Sequence, residues 1–232
     1  MKLALVTHAE HPKLRGTLPD IWPEFMAHDP VVQSFWPQLY DQYPDFQLWI
    51  VDRERGARRT VGYACSVPVG WNGDPSPRGI DWALTDGVEA TPTTLCAIVA
   101  GLVPEYRGFG IAETILRRLA AVGAGHGLDA LVAPVRPTWK DRYPLVALDR
   151  YAAWRRGDGL PYDPWLRTHE RLGGETLPHR LAQIGNIVDR LRFGVGLHEF
   201  QSQGEAPSHR LQHALTILFA NHEAKRMLQS IT

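Results

Sequence analysis

The sequence of 232 residues has little cysteine, no excess of charge of either sign and no long apolar run. Its two cysteines, Cys65 and Cys96, form no CxxC pair, so neither a disulfide framework nor a cysteine-rich metal site is expected. The 25 basic and 25 acidic side chains cancel, which argues against a nucleic-acid partner, because general binding of that kind needs a positive surface. No run of about 18 apolar residues exists, so we expect no membrane partner.

Targeting and metal signals are equally scarce. The apolar start over residues 1–6 is too short for a secretory signal, and thiols that stay reduced fit a cytoplasmic setting, which we therefore expect. Five histidines follow residue 176, and of these His209 and His213 have the spacing of one helix face. No third ligand is indicated, so we predict surface histidines and no metal site.

Tryptophan and proline are abundant instead, with 8 and 18 residues. All eight tryptophans precede residue 166. This composition suits rigid loops and aromatic-walled pockets for small molecules. The aromatic-rich stretch over residues 20–46 has two interpretations, a buried helix face or a lid over such a pocket.

Hydrophobic periodicity predicts mixed strands and helices up to residue 175. Strands are predicted over 2–7, 46–51, 60–69, 81–84, 93–103 and 128–135. Helices are predicted over 20–26, over 30–40 with a kink at Pro37, and over 108–125, 143–154 and 165–172. After residue 176, the apolar positions of 181–191 and 211–219 fit helix faces, and no strand alternation is evident.

The strongest functional signal lies where the buried strand 93–103 turns into the helix that follows. The first turn of a helix leaves backbone N–H groups unpaired and carries partial positive charge. Gly108 and Gly110 remove side chains there, so an anionic group such as a pyrophosphate can approach. Arg107 adds a formal positive charge. The Walker pattern is absent, and the dinucleotide fingerprint is unmet because its third glycine is replaced by Glu113.

The run Arg107-Gly108-Phe109-Gly110-Ile111-Ala112 resembles the acyl-CoA pyrophosphate motif of the GNAT superfamily of N-acetyltransferases, Q/R-x-x-G-x-G/A. Arg107, Gly110 and Ala112 match its three fixed positions. The order of predicted elements over 2–175 also agrees, and later stretches look like an uncharacterised bacterial branch. The resemblance implies an α/β (α+β) fold, with a mixed, mostly antiparallel central sheet, helices on both faces and a splay at the acyl-CoA site.

The resemblance also implies the reaction. Acetyl-CoA would be the co-substrate, and a small-molecule amine would attack it directly in a ternary complex, entering from the opposite side. Leu102 and Val103 would lie beside the pantetheine arm. The pyrophosphate would lie on Arg107, Gly108, Phe109, Gly110, Ile111 and Ala112.

The sequence carries weaker signals for the residues that act as general acid and general base. In many relatives a late-helix tyrosine protonates the thiolate, and His169 occupies that place here, as imidazole can act as an acid near neutral pH. Tyr143 is a second candidate acid, and both residues also have a packing interpretation. Asp81, Glu89 and Glu105 are candidate bases, unless water relays the proton.

We divide the chain into a GNAT-like domain, 1–175, and a C-terminal segment, 176–232. The segment is an appended helical unit, a diverged closing hairpin of the same domain, or a tail that departs from the family. The alternatives to an enzyme are a catalytically silent acyl-CoA-binding regulatory module and a structural domain without cofactor. A homodimer is left open.

Overall fold

The computed structural model describes residues 2–19, 21, 30–54, 59–76, 78–177 and, by backbone course alone, 215–220. The strands of this part of the chain are β1 (Leu3–Thr7), β2 (Gln47–Asp52), β3 (Arg59–Val69), β4 (Thr94–Leu102), β5 (Ala130–Val135), β6 (Glu175–Thr176) and β7 (Leu215–Ala220). They form one sheet in the order β1-β2-β3-β4-β5-β7-β6. Neighbours pair antiparallel except β4 and β5, which are parallel. This mixed, mostly antiparallel sheet confirms the predicted fold class.

Helices cover both faces of the sheet. The α-helices among the described residues are α1 (Pro30–Gln42), α2 (Ile80–Trp82), α3 (Ile111–Gly125), α4 (Leu148–Ala152) and α5 (Pro164–Arg171). Side chains alternate along each strand, so the sheet has two apolar faces. One packs against α3 and α5, and the other packs against α1 and the α2 region. No helix within the described ranges is long and apolar enough to cross a membrane.

The predicted strand over 81–84 is wrong. These residues lie in α2 and in a π-helical turn, Ala83–Gly87, that continues it. Strand β3 is already paired on both sides by β2 and β4, and β4 is paired by β3 and β5. The segment between them therefore has no strand edge to join, and it satisfies its backbone groups locally.

The predicted helix over 143–154 is present only as α4. The residue before a proline is disfavoured in the helical region, and Tyr143 precedes Pro144. Tyr143 accordingly adopts φ −131° and ψ 58°, and it ends a 3₁₀ turn, Lys140–Arg142. The chain becomes helical only after Ala147, which caps α4.

The predicted helix face over 211–219 is wrong for the residues that the structure describes. Strand β7 pairs with β5 along its whole length, from Leu215 opposite Val135 to Ala220 opposite Ala130. It also pairs with β6. These pairs fit the closing-strand alternative for this stretch, although the division at residue 175 stays a prediction. The helices predicted over 20–26 and 181–191 lie outside the described residues, apart from Ile21.

The described part of the aromatic-rich stretch packs into the core. In α1, Tyr40 is buried, with its ring centroid 5.6 Å from that of Trp49 on β2. Phe35 and Trp36 are partly buried against the same cluster. The buried-face interpretation therefore accounts for α1.

Candidate functional site: a split sheet between a glycine turn and a tryptophan pocket

Strands β4 and β5 part soon after they meet. Their parallel register covers three pairs and ends where Cys96 faces Val132. Close to this point β4 also bulges, because the consecutive β3 residues Cys65 and Ser66 pair with Val99 and Ala97 and leave Ile98 as the extra residue. A bulge bends the strand that carries it. The remaining residues of β4 and β5 therefore diverge, and the predicted splay is confirmed.

The turn after β4 leads from this split to the start of α3. Its conformation depends on Gly108 and Gly110, whose φ angles of 85° and 75° lie in the left-handed region that favours glycine. Gly110 is the N-cap of α3 and supplies no side-chain cap. A Cβ built at either glycine would meet no protein atom within 4 Å. The space beside both glycines at the start of α3 is therefore open.

Two side chains tie this turn to the sheet. Arg107 donates from Nε to the carbonyl oxygen of Leu102 at 2.9 Å. Tyr106 donates its hydroxyl proton to Asp52 Oδ2 at 2.6 Å, at the end of β2. The second contact is absent from the sequence expectations, because 54 residues separate its partners.

The remaining residues that we predict to contact the cofactor differ in their exposure to solvent. Leu102, Val103 and Ile111 are buried core residues. The N–H group of Val103 donates to Val61 at 2.9 Å. Ala112 is partly buried, whereas the side chain of Phe109 is 67% exposed. A ligand on this turn would therefore meet Phe109 and the backbone of the glycines, and only backbone atoms of the buried residues.

A narrow pocket lies at the split on the opposite face of the sheet. Its lining residues come from β4, β5, α2 and the loop after β3, and they are Trp71, Pro75, Ser76, Gly79, Trp82, Cys96, Val132 and Pro134. Cys96 and Val132 belong to the core that packs against α1, whereas their neighbours Leu95 and Leu131 face α3. The glycine turn and the pocket thus approach the same split from two sides.

Comparison with known proteins identifies the family. The chain is 32% identical over 198 residues to the arginine N-acetyltransferase avaD of Aspergillus versicolor, with 74% of this chain and 68% of that protein covered. The chain belongs to the GNAT acetyltransferase family. No protein-family model matches it. The prediction of an N-acetyltransferase is confirmed at this level, and the narrower assignment to a bacterial branch is not supported.

Solved GNAT-like structures share the fold. The loading GNATL domain of CurA from Lyngbya majuscula superposes with a TM-score of 0.65 at 13% identity, covering 96% of this chain and 99% of that one. The GphF GNAT-like decarboxylase, solved with isobutyryl-CoA, gives a TM-score of 0.57 at 13% identity and covers 95% and 100%. At such identities the likeness concerns the fold alone.

In this GNAT chain, His169 is deeply buried. Its ring is inaccessible to solvent, and Nδ1 lies 2.8 Å from the carbonyl oxygen of Trp165, one turn earlier in α5. The Trp165 ring packs edge-on at 4.2 Å. Burial lowers the pKa of His169 to about 4. The imidazole is therefore neutral at neutral pH, and its one N–H proton is directed to the Trp165 carbonyl oxygen, so it is a poor general acid.

Tyr143 occupies a more open position after the end of β5. Its hydroxyl lies 2.8 Å from that of Tyr162, and its ring packs on Trp154 at 4.8 Å. The hydrogen bond with Tyr162 raises the pKa of Tyr143. This phenol therefore stays protonated at neutral pH. No local sequence pattern indicates Tyr162, because only the fold brings the two hydroxyls together.

Asp163 organises the surroundings of this tyrosine pair. It is 1% exposed and caps α5, where Oδ1 accepts from the N–H groups of Trp165 and Leu166. Its Oδ2 accepts from Trp139 N at 2.8 Å and from the Tyr151 hydroxyl at 2.9 Å. The sequence does carry a signal for the cap, an aspartate followed by proline at the first helical position.

The three candidate bases are dispersed. Asp81 is partly buried in α2, beside the pocket-lining Trp82, whereas Glu89 and Glu105 are exposed. Of the three, Asp81 alone adjoins the pocket in sequence. Among the described residues no group of three or more histidine, cysteine or acidic side chains could hold a metal ion.

Proposed function

We propose that the chain transfers an acetyl group from acetyl-CoA to a small-molecule amine, by direct attack within a ternary complex. The observation that carries this proposal is the split after Cys96 and Val132, which has the glycine turn on one side and the tryptophan pocket on the other. Two reactants that enter from opposite faces can meet there. Holding them together supplies much of the rate enhancement of such a reaction.

The turn 107–112 fits a pyrophosphate. Its glycines are left-handed and unobstructed, so the N–H groups at the start of α3 can approach two phosphates closely. Arg107 brings a positive charge to the same turn, which its bond to Leu102 holds in place. In this arrangement Gly108, Phe109, Gly110, Ile111 and Ala112 contact the pyrophosphate, and the backbone near Leu102 and Val103 accompanies the pantetheine arm.

The acceptor class rests on the curated relative, whose name describes an arginine N-acetyltransferase. We infer for this chain a small amine of that kind. The position of the pocket, across the sheet from the turn, supports entry of the acceptor from this face, and the cavity itself has room for about one water molecule.

Tyr143 is better suited than His169 to act as the general acid that protonates the thiolate. The bound thioester supplies an electrophilic carbonyl carbon and a thiolate that must take up a proton. Tyr143 holds a proton at neutral pH, and the adjacent Tyr162 hydroxyl can replace it through their hydrogen bond. Burial keeps the His169 imidazole neutral, and its single ring proton is directed to the Trp165 carbonyl oxygen. We therefore assign His169 to packing. The amine proton would pass to water or to Asp81.

Two broader expectations accompany this function. A cytoplasmic location is supported by Cys65 and Cys96, which are both free and buried. Neither a nucleic acid nor a membrane is required as a partner, and a homodimer stays open.

The proposal is tested by calorimetric titration with acetyl-CoA and by release of free thiol in the presence of an amine panel that includes arginine. Gly110→Glu should weaken acetyl-CoA binding at least 100-fold, about 2.7 kcal/mol, because it places a carboxylate against the phosphates. The matched control is Gly127→Glu, just after α3, where the backbone has the same left-handed φ of 75° and a Cβ also meets no protein atom within 4 Å.

Each result separates the alternatives. Unchanged acetyl-CoA affinity in Gly110→Glu would show that the turn is not the phosphate site. Binding without thiol release for any amine would identify a silent acyl-CoA-binding module. Absence of acetyl-CoA binding in the unaltered protein would leave a structural domain without cofactor as the remaining alternative.

A further inference from the structure

We propose that Tyr106 and Asp52 are positioning residues for acetyl-CoA, because their hydrogen bond holds the glycine turn, residues 107–112, in the shape that receives the pyrophosphate. This inference rests on the proposed function and extends it to two residues that no sequence pattern indicates. Neither side chain needs to touch the ligand, since each acts through the backbone of the turn.

Asp52 is firmly placed within the sheet. It is the last residue of β2, where it pairs with Leu3 of β1 on one side and with Arg59 of β3 on the other. Its side chain is buried, and Oδ1 accepts from the backbone N–H group of Glu54 at 2.9 Å. Strand pairing on both sides and this hydrogen bond together hold the carboxylate in one orientation.

Tyr106 connects this carboxylate to the residue with which the glycine turn begins, Arg107. The Tyr106 ring is buried in the core on the α3 face, and its hydroxyl donates to Asp52 Oδ2 at 2.6 Å. This separation is typical of a hydroxyl bound to a carboxylate, and such a bond is stronger than one between neutral groups. The backbone N–H of Tyr106 donates to the Val103 carbonyl at 3.0 Å, and that of Arg107 donates to Pro104 at 3.1 Å. The direction in which the chain enters the turn is therefore set by contacts that precede it.

The glycines of the turn contribute no side chain that could hold it in place. Gly108 and Gly110 have left-handed φ angles, and Gly110 supplies no side-chain cap to α3. Because glycine has more backbone freedom than other residues, ordering such a turn around a ligand costs conformational entropy. A site that is already ordered before the ligand binds avoids much of this cost. We therefore expect the bond between Tyr106 and Asp52 to increase the affinity for acetyl-CoA.

The test compares two buried tyrosine hydroxyls that each donate to a buried carboxylate. Tyr106→Phe should raise the Kd for acetyl-CoA at least tenfold in calorimetric titration, while kcat at saturating acetyl-CoA and the KM for the amine stay within about threefold. The matched control, Tyr151→Phe, removes the hydroxyl that donates to Asp163 at 2.9 Å. It should lower the melting temperature by a similar amount and keep the affinity for acetyl-CoA.

Variants of Asp52 test whether the hydrogen bond is the cause. Asp52→Ala should weaken acetyl-CoA binding as much as Tyr106→Phe does, and combining the two changes should weaken it no further. Asp52→Asn should keep the affinity within about threefold, because a tyrosine hydroxyl can donate to an amide oxygen or accept from an amide N–H. Hydrogen exchange of the ligand-free protein adds a readout without turnover. The amides of 108–112 should exchange at least tenfold faster in Tyr106→Phe and at an unchanged rate in Tyr151→Phe.

The inference is overturned if Tyr106→Phe binds acetyl-CoA as tightly as the unaltered protein does, and the proposed function then stands as long as thiol release persists. It is also overturned if Tyr151→Phe or Asp52→Asn weakens binding equally, or if the unaltered protein does not bind acetyl-CoA. If Tyr106→Phe weakens binding but no amine releases thiol, the inference stands and the proposed transfer fails. Should Tyr106→Phe not fold, Asp52→Ala carries the same prediction.

Discussion

The two faces of the sheet are stabilised in different ways. On the face that packs against α3 and α5, Asp163 accepts four hydrogen bonds and His169 lies against the Trp165 carbonyl, while Arg118 Nε on α3 is buried without a hydrogen-bond partner among the described residues. On the face of α1, aromatic packing dominates. There, His8 Nδ1 and Trp49 Nε1 are buried without a hydrogen-bond partner among the described residues. Satisfied buried groups are costly to disturb, whereas unsatisfied ones can be replaced cheaply.

This contrast agrees with the proposal that the cofactor and the acceptor approach the split from opposite faces of the sheet. A hydrogen-bonded face is suited to holding a cofactor in one fixed geometry. A face built from aromatic packing and a separate loop can change with the acceptor. The following predictions test the difference in order of decreasing effect.

Asp163→Ala should have the largest effect. It removes a helix cap and leaves the buried donors of Trp139 and Tyr151 without their acceptor. The expected loss is about 4 kcal/mol in the free energy of unfolding, measured by urea denaturation. The control is Asp158→Ala, an exposed aspartate in the preceding loop, which should change stability by less than about 1 kcal/mol. Equal losses in the two variants would remove the distinction between the faces.

Acid should destabilise the α3 face through His169. Its pKa is about 4 in the folded protein and near 6.5 when unfolded. Below pH 6.5 the unfolded state therefore binds more protons than the folded state. The contribution of His169 to the free energy of unfolding is complete above pH 6.5, and it is lost as the pH falls from 6.5 to about 4. This histidine should contribute a loss of about 2 kcal/mol between pH 7.5 and pH 5.

The measurement is urea denaturation at several pH values. His169→Gln should flatten the pH dependence, whereas Thr168→Val, which alters a neighbour on α5 that does not titrate, should leave it intact. A His169 variant with the slope of the unaltered protein would show that the imidazole is not buried in its neutral form.

His8→Phe should have the smallest effect. His8 packs edge-on against Tyr40 and Trp49, at 5.4 and 5.5 Å, and phenylalanine can keep both contacts. Because Nδ1 has no partner within the described part of the chain, the change should cost less than about 1 kcal/mol and can be stabilising. The matched His169→Phe should cost more, since it leaves the Trp165 carbonyl without its partner. Equal losses of unfolding free energy in His8→Phe and His169→Phe would show that the two faces do not differ in this respect.

The sequence predicted much of the fold and one half of the site. Strands β1 to β5 and helices α1, α3 and α5 follow from hydrophobic period, and their boundaries differ by a few residues at most. The errors concern the helix predicted over 143–154, of which only α4 forms, and two short segments. Residues 81–84 and 215–220 each carry too few apolar positions to distinguish a helix from a strand. For these segments the presence or absence of an unpaired neighbouring strand decided the outcome.

The glycine turn and the tryptophan pocket likewise differ in how far the sequence predicts them. The glycine turn is contiguous, and local chemistry dictates it: Pro104 ends the strand, and Gly108 and Gly110 permit left-handed angles. The pocket combines Trp71 with Pro134, more than sixty residues apart. The tyrosine pair and the fourfold use of Asp163 likewise depend on long-range contacts. No local pattern in the sequence indicates such juxtapositions.

By itself the sequence determined the order of most elements, the anion-binding turn and the resemblance to an acyltransferase, because backbone angles and hydrophobic period are local properties. The tertiary structure alone decided that His169 is buried and neutral, that Tyr143 is paired with Tyr162, that β7 closes the sheet beside β5, and that a tryptophan pocket lies across the split from the turn. Burial and hydrogen-bond partners depend on which segments meet. That depends on how the whole sheet is assembled.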